Sequence, residues 1–306
     1  MSHRPILLAI VGDSAAGKST LGSGISALLG DERVTVVTTD DYHRYNRRER
    51  RERRISALHP ECNDLDLLGE HLEALAQGRS VVKAPYDHAT GDFGAPRTIV
   101  PSDFLLVEGL LGLHSQALRD RYDVSVYLDT PEPLRHRWKL ARDIAKRGYS
   151  ADEVHAILEH RESVAAEYVR PQRAYAHMVV RFHGGAEPAD YERLHATVMM
   201  RPALEQPELR AAIDACPLAA PVIALTESAS GELVLEVDGA ISSEQAGAVE
   251  RALWMRRPEM RRMLLARTGD FIEDGTVRHS HALALAQRLI AYPVLRARLA
   301  KEAVTG

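Results

Sequence analysis

The chain has 306 residues, of which 45% are hydrophobic and 27% are charged, and its formal net charge is −4. This composition is ordinary for globular proteins and allows one large domain or two modest ones. The net charge provides no global attraction to nucleic acid or to an anionic membrane, so any anion binding must come from local clusters.

The cysteine content and the hydropathy pattern bear on location. Only Cys62 and Cys216 are present, too few for a disulfide framework, so we expect a reducing, cytoplasmic environment. The N-terminal apolar run leads directly into a glycine-bearing turn and lacks the small-residue cleavage site of a signal peptide. No apolar stretch reaches the roughly 20 residues that span a bilayer, and we therefore expect no membrane association.

The first two thirds of the chain alternates short apolar runs with longer amphipathic segments. The apolar runs are rich in β-branched residues and predict buried strands at 6–11, 34–38, 81–84, 104–107, 124–128 and 178–182. Helix-like segments lie at 19–29, 66–77, 131–147 and 151–167, and Ser150 with Glu153 three residues later predicts a capping box at the start of the last one. Strand followed by helix, repeated, predicts an α/β fold with a doubly wound, mostly parallel sheet.

The pattern changes near residue 190. Further strands are predicted at 193–200, 221–227 and 233–237, with a hairpin turn at Gly231, and helices at 243–255 and 280–300. We expect residues 1–190 to form the core and residues 191–306 to supply additional strands and helices packed on it. A small second domain is the alternative.

A glycine-rich segment follows the first predicted strand and matches the phosphate-loop pattern G-x-x-x-x-G-K-[ST]. Its glycines let successive backbone N–H groups point at phosphate oxygens, and the helix that follows adds its positive N-terminal end. Lys18 is expected to reach the β- and γ-phosphates of ATP, and the Ser19 hydroxyl to ligate Mg²⁺. The predicted nucleotide contacts are Gly12, Asp13, Ser14, Ala15, Ala16, Gly17, Lys18, Ser19 and Thr20.

Carboxylates follow two other predicted strands. Glu108 ends the run 104–107 and is expected at the carboxyl edge of the sheet, where it can orient magnesium. Asp40 and Asp41 follow the second strand, at the edge that faces a nucleotide in a doubly wound fold. Transfer of a phosphoryl group to an alcohol needs a carboxylate that accepts the hydroxyl proton. The residues alone do not separate Asp40 from Asp41.

Two basic segments lie near these carboxylates in the sequence. Residues 44–54 contain seven arginines. Most are expected on a solvated face, but one or more could hold a substrate phosphate by bidentate hydrogen bonds. No aromatic stacking platform accompanies the run, which disfavours nucleic-acid binding. On the predicted helix 131–147, Arg142 and Arg147 are candidates for a lid that neutralises charge on the transferring phosphoryl group.

Several motifs in a fixed order resemble the phosphoribulokinase and uridine kinase superfamily of P-loop kinases. They are GDSAAGKST, TDDYH, LHPECNDLDLL, APYDHATG, LLVEGLLGLH, WKLARDIAKRGYS and RPQRAYAHMVV, and together they extend from residue 6 to about residue 182. TDDYHRYNR and the pattern R-D-x-x-x-R-G resemble phosphoribulokinases more than uridine kinases, whereas Y-D-H at 86–88 is closer to the uridine kinase pattern.

The resemblance implies an ATP- and magnesium-dependent kinase that converts ribulose 5-phosphate to ribulose 1,5-bisphosphate, with Asp40 as the base. It implies lid or phosphate-stabilising roles for Lys139, Arg142 and Arg147, and a second acidic group near magnesium in Asp143. The implied sugar-phosphate contacts are His43, Arg47, Tyr86, His88 and Arg161.

Alternatives remain open at this point. They are phosphorylation of uridine or of another pentose or polyol phosphate, and a protein that binds ATP as a switch without catalysis. A homodimer is compatible with each of them.

Plant-type phosphoribulokinases are switched off by a disulfide near the nucleotide. By this resemblance the corresponding positions here are Ala16 and Thr38. The resemblance therefore implies activity that is insensitive to thiol oxidation.

Overall fold

The computed structural model describes residues 4–184, 193–204, 207–255, 266–273 and 275–305. Within these ranges, the side chains of residues 146, 147, 207, 255, 273, 304 and 305 are not described. The chain divides into two compact units. The first comprises residues 1–18, 32–128 and 132–176, and the second comprises 19–31, 129–131 and 177–306. The boundary predicted near residue 190 lies outside the described residues.

A parallel sheet with the strand order β8–β1–β7–β2 organises the first unit. Its strands are β1 (Ile6–Gly12), β2 (Val34–Thr38), β7 (Phe104–Gly109) and β8 (Val124–Leu128). Every residue of β1 and of β8 is buried, as expected for parallel strands covered on both faces. The predicted α/β class with a mostly parallel sheet is confirmed.

The helices of the first unit alternate with its strands along the chain. They are α2 (Arg47–Arg53), α3 (Leu65–Ala76), α4 (Gln116–Arg119), α5 (Glu132–Arg147) and α6 (Ala151–Val164). Short 3₁₀ turns occupy Thr39–Tyr42, Pro60–Cys62 and Arg170–Tyr175, and Ala165–Val169 forms a π-helical turn. The predicted capping box at Ser150 and Glu153 opens α6.

The prediction that residues 81–84 add a strand to the parallel sheet was wrong. β3 (Val81–Lys83) pairs instead with β6 (Arg97–Ile99) in an antiparallel ribbon. A second small ribbon joins β4 (Tyr86–Asp87) to β5 (Asp92–Phe93). The physical reason is that β3 has only one buried face: Val82 is exposed while Val81 and Lys83 are buried, whereas a central parallel strand is covered on both faces.

The second unit contains an antiparallel sheet with the order β11–β12–β10–β9. Its strands are β9 (Met178–His183), β10 (His195–Met200), β11 (Ile223–Glu227) and β12 (Leu233–Val237). The predicted hairpin at Gly231, where φ is 78°, joins β11 to β12 and is confirmed. The strand predicted at 178–182 corresponds to β9, which pairs antiparallel with β10.

The remaining elements of the second unit are mostly helical. They are α7 (Pro207–Asp214), α8 (Ser243–Met255), α9 (His281–Thr305) and a hairpin of β13 (Asp270–Glu273) and β14 (Thr276–His279). Helix α1 (Lys18–Leu29) belongs to this unit from residue 19 onward. Gln287 of α9 donates a hydrogen bond to the Thr20 carbonyl at 3.0 Å. Among the described residues, no helix is both long and apolar enough to cross a membrane.

The loops at the carboxyl ends of β2 and β7 are packed directly against each other. The Thr39 hydroxyl accepts a hydrogen bond from Leu110 N–H at 3.2 Å. A Cβ atom on Gly109 would overlap the Thr39 side chain. Gln172 also holds the loop after β7. Its side chain accepts a hydrogen bond from Leu113 N–H at 2.8 Å and donates one to the Leu110 carbonyl at 2.7 Å. The position of the loop after β2 therefore depends on the absence of a side chain at residue 109.

We expect Gly109→Ala to destabilise the protein by about 1–3 kcal/mol, because the added methyl group must displace Thr39. Urea unfolding measures the change. Gly69→Ala is the matched control, since its nearest neighbours would lie at ordinary van der Waals distances of 3.7 Å or more and alanine favours a helix. Equal stability of the wild type and Gly109→Ala would contradict this packing.

Candidate active site

The phosphate loop turns sharply between β1 and α1. Ala15 and Gly17 both adopt left-handed conformations, with φ of 63° and 96°. This conformation is strained for alanine. A Cβ atom on Gly12 would lie 2.6 Å from the Leu128 carbonyl oxygen, so β8 requires a glycine there. The segment therefore has the curled backbone that the phosphate-loop motif predicts.

Lys18 lies at the centre of this loop. Its ammonium group donates to the Gly12 carbonyl at 3.1 Å and to the Asp13 carbonyl at 2.8 Å. Burial lowers the pKa of Lys18, while the carboxylates of Asp40, Glu108 and Asp13 act in the opposite direction. The structure thus brings the predicted phosphate-binding lysine, the base candidate and the metal candidate into mutual electrostatic range.

Asp13 has two cationic neighbours that the sequence did not indicate. Its carboxylate lies 3.6 Å from Arg135 of α5 and 3.6 Å from Arg170, and its side chain is 9% exposed. Glu162 joins the two arginines, with 2.6 Å to Arg170 and 3.5 Å to Arg135. This network ties the phosphate loop to the two segments that flank α6.

The two adjacent aspartates after β2 have different surroundings. Asp41 forms an ion pair with Lys83, and the two side chains are only 6% and 4% exposed. Asp41 also accepts a hydrogen bond from Tyr86 N–H at 2.7 Å. Burial lowers the pKa of Lys83, and the bond to Asp41 opposes that shift. Both oxygens of Asp41 are therefore engaged in holding the β3–β4 segment.

Asp40 remains accessible at the same edge, with 23% of its side chain exposed. His88 Nε2 lies 3.2 Å from its carboxylate. Burial raises the pKa of Asp40, but the His88 hydrogen bond and the charges of His43, His88 and Lys18 outweigh it and hold the pKa well below the ordinary value. Asp40 is consequently ionised at neutral pH and can accept a proton from a bound hydroxyl.

His43 and Tyr86 form an aromatic wall beside Asp40. His43 is buried, its Nδ1 lies 2.7 Å from Asn63 Oδ1, and its ring meets Tyr86 edge-on at 5.0 Å. Tyr86 also meets His88 edge-on at 5.2 Å. Burial lowers the pKa of His43; the Asp40 carboxylate opposes the shift and the Arg50 guanidinium adds to it.

Arg47, a predicted substrate contact, is engaged with the loop that carries His88. Its guanidinium donates to the His88 carbonyl at 2.5 Å and lies 6.0 Å from the centre of the Tyr149 ring. Its backbone N–H donates to the Gly91 carbonyl at 2.8 Å. In this structure Arg47 therefore supports the position of His88, and its contact with a phosphate stays a prediction.

The predicted lid residues cluster on α5. Asp143 is 1% exposed and accepts from Lys139 at 2.7 Å and from Arg142 at 2.8 Å. Burial lowers the pKa of Lys139 to about 8, and the charges of Arg161 and Arg142 contribute to the shift while Asp143 opposes it. Arg142 also lowers the pKa of Lys18, so it lies within electrostatic range of the phosphate loop. The Arg147 side chain lies outside the described residues.

The predicted magnesium contacts come from separate elements. Glu108 is half-buried at the end of β7, where it stands in register with Ile10 of β1 and Thr38 of β2. Ser19 lies in the first turn of α1. Carboxylate and hydroxyl oxygens are suitable magnesium ligands. Asp143, the third candidate, is occupied by the two cations described above, and its metal role stays a prediction.

Another carboxylate and imidazole group lies on α5 and α6. Ligand atoms of Glu132, His136 and Glu162 approach within 4.8 Å of one another. Glu162 already forms an ion pair with Arg170. The positive charge of Arg170 offsets the negative charge that would attract a metal cation. We assign this group a structural role.

Both cysteines are buried and neither is in a disulfide. Burial raises the pKa of the Cys62 and Cys216 thiols, which disfavours the reactive thiolate.

Sequence reasoning missed several residues that shape the site. Lys83 carried a usable signal, because a lysine within an apolar strand needs a buried acidic partner. Asn63 lies in the LHPECNDLDLL motif, and nothing in the sequence indicates its hydrogen bond to His43. Arg50 is buried, yet within the arginine run it cannot be distinguished from its exposed neighbours.

A family model described as Phosphoribulokinase / Uridine kinase family matches residues 7–185. The phosphoribulokinase of Synechocystis sp. is 35% identical over 177 residues, which cover 58% of this chain and 53% of that protein. The chloroplastic phosphoribulokinase of Mesembryanthemum crystallinum is 34% identical over 192 residues, 57% of this chain and 48% of that protein. The chain thus spans about half the length of the curated phosphoribulokinases it matches.

Two further comparisons extend the range of similarity. A uridine kinase of Chloroflexus aurantiacus is 35% identical over 190 residues, which cover 60% of this chain and 90% of that protein. The solved structure of phosphoribulokinase from Rhodobacter spheroides matches 86% of this chain and 98% of that chain, with a TM-score of 0.61 and 17% identity. At that identity the structural likeness shows the fold alone.

We expect Asp41→Asn to destabilise the protein by about 3–5 kcal/mol, because it leaves Lys83 buried without a carboxylate. The asparagine oxygen can still accept a hydrogen bond from Tyr86 N–H, so the variant tests the loss of the negative charge alone. The double variant Asp41→Asn with Lys83→Met should recover most of this loss, which urea unfolding can measure.

The exposed pair Arg48–Glu52 provides the control: Glu52→Gln should change stability by less than about 1 kcal/mol. Additive losses in the double variant would contradict the coupling of Asp41 with Lys83.

Proposed function

Because the chain belongs to the phosphoribulokinase/uridine kinase family, we propose that it transfers the γ-phosphoryl group of ATP to a hydroxyl of ribulose 5-phosphate, giving ribulose 1,5-bisphosphate and ADP. The observation that supports the proposal is that the phosphate loop of Lys18 and the Asp40 segment follow β1 and β2, which both pair in parallel with β7, and that Asp40 and Lys18 affect each other's pKa. A base and a phosphate-binding cation at one strand edge are the two groups that this reaction requires.

In the proposed reaction the oxygen of the acceptor hydroxyl bonds to the γ-phosphorus, and the bond between the γ-phosphorus and ADP breaks. Asp40 accepts the proton that the hydroxyl loses. His88 Nε2 contacts Oδ2 of the Asp40 carboxylate at 3.2 Å, and Oδ1 is the oxygen proposed to accept the proton. Lys18 and Arg142 offset the negative charge on the transferring group, and Arg147 is the further lid candidate. Magnesium, held by Ser19 and Glu108 with Asp143 as the additional candidate, would supply charge neutralisation at the phosphates.

The acceptor is proposed to lie against the aromatic wall. His88 contacts Asp40, and Tyr86 meets both His88 and His43 edge-on. Rings of this kind bury the carbon skeleton of a sugar while their polar atoms meet its hydroxyls. Arg47, Lys139 and Arg161 are the proposed phosphate contacts from the sequence.

Phosphorylation of uridine is the second candidate. It is favoured by the uridine kinase of Chloroflexus aurantiacus, whose similarity to this chain covers 90% of that protein. The basic residues around the pocket favour an acceptor that already carries a phosphate, because a nucleoside presents no anion to them.

A coupled ADP-release assay distinguishes the candidates. It should use ribulose 5-phosphate, ribose 5-phosphate, xylulose 5-phosphate and uridine, each with ATP and Mg²⁺. We expect kcat/KM to be highest with ribulose 5-phosphate. Turnover of uridine alone would refute the sugar-phosphate proposal, and ATP binding without turnover of any acceptor would favour a nucleotide-dependent switch.

We expect Asp40→Asn to lower kcat by about 10²–10⁴-fold while ATP binding is retained, because only proton acceptance is lost. Lys18→Ala should also remove most turnover, but it should weaken ATP binding as well, which calorimetry separates from the effect of Asp40→Asn. Near-normal kcat in a folded Asp40→Asn variant would rule out this carboxylate as the base.

A further inference from the structure

Helix α9 carries a buried carboxamide, that of Gln287. Every residue of this helix from Ala282 to Leu295 is buried, most of them are apolar, and Gln287 is 0% exposed. Burying a carboxamide costs free energy unless its polar atoms are hydrogen-bonded, whereas an apolar side chain of similar shape has no such cost. The glutamine is therefore explained by its hydrogen bonds rather than by packing alone.

Both ends of the Gln287 carboxamide are bonded to the backbone of other elements. Its Nε2 donates to the Thr20 carbonyl of α1 at 3.0 Å, and its Oε1 accepts from Gly269 N–H at 2.8 Å. A backbone carbonyl can only accept and a backbone N–H can only donate, so these two partners fix the orientation of the amide. Gln287 therefore links the first turn of α1 to the segment that precedes β13.

Helix α1 has a glycine where the carboxamide approaches it. A Cβ atom on Gly24 would overlap the Gln287 carboxamide. In an α-helix the Thr20 carbonyl also accepts from the N–H of Gly24, four residues on, and the Ser23 hydroxyl donates to it at 3.0 Å. Those two donors belong to α1 itself, whereas Gln287 connects the same carbonyl to a different helix. The absence of a side chain at residue 24 makes this connection possible.

The turn of α1 that Gln287 holds carries predicted nucleotide contacts. Helix α1 begins at Lys18, directly after the phosphate loop, and Thr20 is the neighbour of Ser19. The N–H groups in the first turn of a helix have no partner within the helix and are suited to bind phosphate. A misplacement of about 1 Å at such a site can cost about 100-fold in rate. The orientation of this turn therefore bears on how well ATP is held.

We propose that Gln287 is a positioning residue for ATP. Through the Thr20 carbonyl it sets the orientation of the first turn of α1, and with it the Ser19 hydroxyl and the N–H groups that are proposed to meet Mg²⁺ and the phosphates. The inference rests on the proposed function and deepens it. It gives a part in nucleotide binding to α9, which lies outside the residues 7–185 that the family model matches.

The test compares Gln287→Met with the wild type and with Tyr292→Phe. Methionine keeps the length of the side chain and removes both hydrogen bonds. Tyr292 is the matched control because it is also buried on α9, at 2% exposure, and its hydroxyl donates to Glu208 of α7 at 2.9 Å. Calorimetry measures the Kd of ATP with Mg²⁺ and without an acceptor, steady-state kinetics measure the KM of each substrate, and urea unfolding measures stability.

In Gln287→Met we expect the Kd and the KM of ATP to rise by about 10-fold or more, which is the range for losing a residue that orients a metal ligand. The KM of ribulose 5-phosphate should stay close to the wild-type value. Tyr292→Phe should lose stability and keep the wild-type Kd of ATP. An unchanged Kd of ATP in a folded Gln287→Met variant, or an equal rise in Tyr292→Phe, would overturn the inference.

Gly24→Ala keeps the inference testable if Gln287→Met does not fold. Its methyl group displaces the carboxamide from α1, so we expect a similar rise in the Kd of ATP. Ser23→Ala is the control within α1, because it removes a hydrogen bond to the Thr20 carbonyl without touching the link to α9, and it should bind ATP as the wild type does. Normal ATP affinity in folded Gly24→Ala, or an equal rise in Ser23→Ala, would argue against a role for α9.

Failure of the proposed function has a different signature. If the wild type binds no ATP in the calorimeter, the proposed function and the role of Gln287 fall together, and that result is visible before any variant is made. If the wild type binds and turns over ATP while the Gln287 and Gly24 variants bind it equally well, only the role of Gln287 falls.

Discussion

The candidate site depends on the parallel pairing of β7 with β1 on one side and β2 on the other. The register places Ile10, Glu108 and Thr38 side by side. Parallel strands end at the same edge of a sheet, so the phosphate loop, the Glu108 carboxylate and the aspartate pair emerge together. Each later feature, from the Lys18 bonds to the aromatic wall, is built on loops that leave this edge.

Neighbouring residues of the same type have different surroundings in this site. Asp41 forms a buried ion pair with Lys83, whereas the Asp40 carboxylate is accessible. Arg47 holds the loop that carries His88, while Arg50 lies buried against Tyr86. In each pair one member supports the backbone, because Asp41 holds the β3–β4 segment and Arg47 holds the loop that carries His88.

The sequence predicted the parts of this arrangement that follow from local pattern. Three features depend only on a short stretch of sequence: the phosphate loop, the strands of the parallel sheet and the Ser150 capping box. Hydrophobic periodicity and turn residues are therefore enough to predict them. The placement of 81–84 failed because pairing partners are set by tertiary packing, and an apolar tripeptide does not specify whether one or both of its faces will be covered.

The division of labour within the site lay beyond sequence reasoning for a similar reason. Asp40 and Asp41 are chemically identical, and only the position of Lys83, over 40 residues away in the chain, separates them. Seven arginines in 44–54 look alike until α2 forms and turns one of them inward. Resemblance to a family indicated Asp40, but it offered no account of what its neighbour does.

Helix α2 has a consequence for how the protein acquires its structure. The helix spans seven residues, five of them arginines, and repulsion between like charges three and four positions apart opposes its formation. A helix of this length is not stable in an isolated chain. Its N-terminal capping box and the contacts of Arg50 with Tyr45 and Tyr86 supply what its own sequence lacks. Because α2 relies on these contacts, we expect it to become ordered only after β4 has paired with β5 and placed Tyr86, and to open more readily than the parallel sheet.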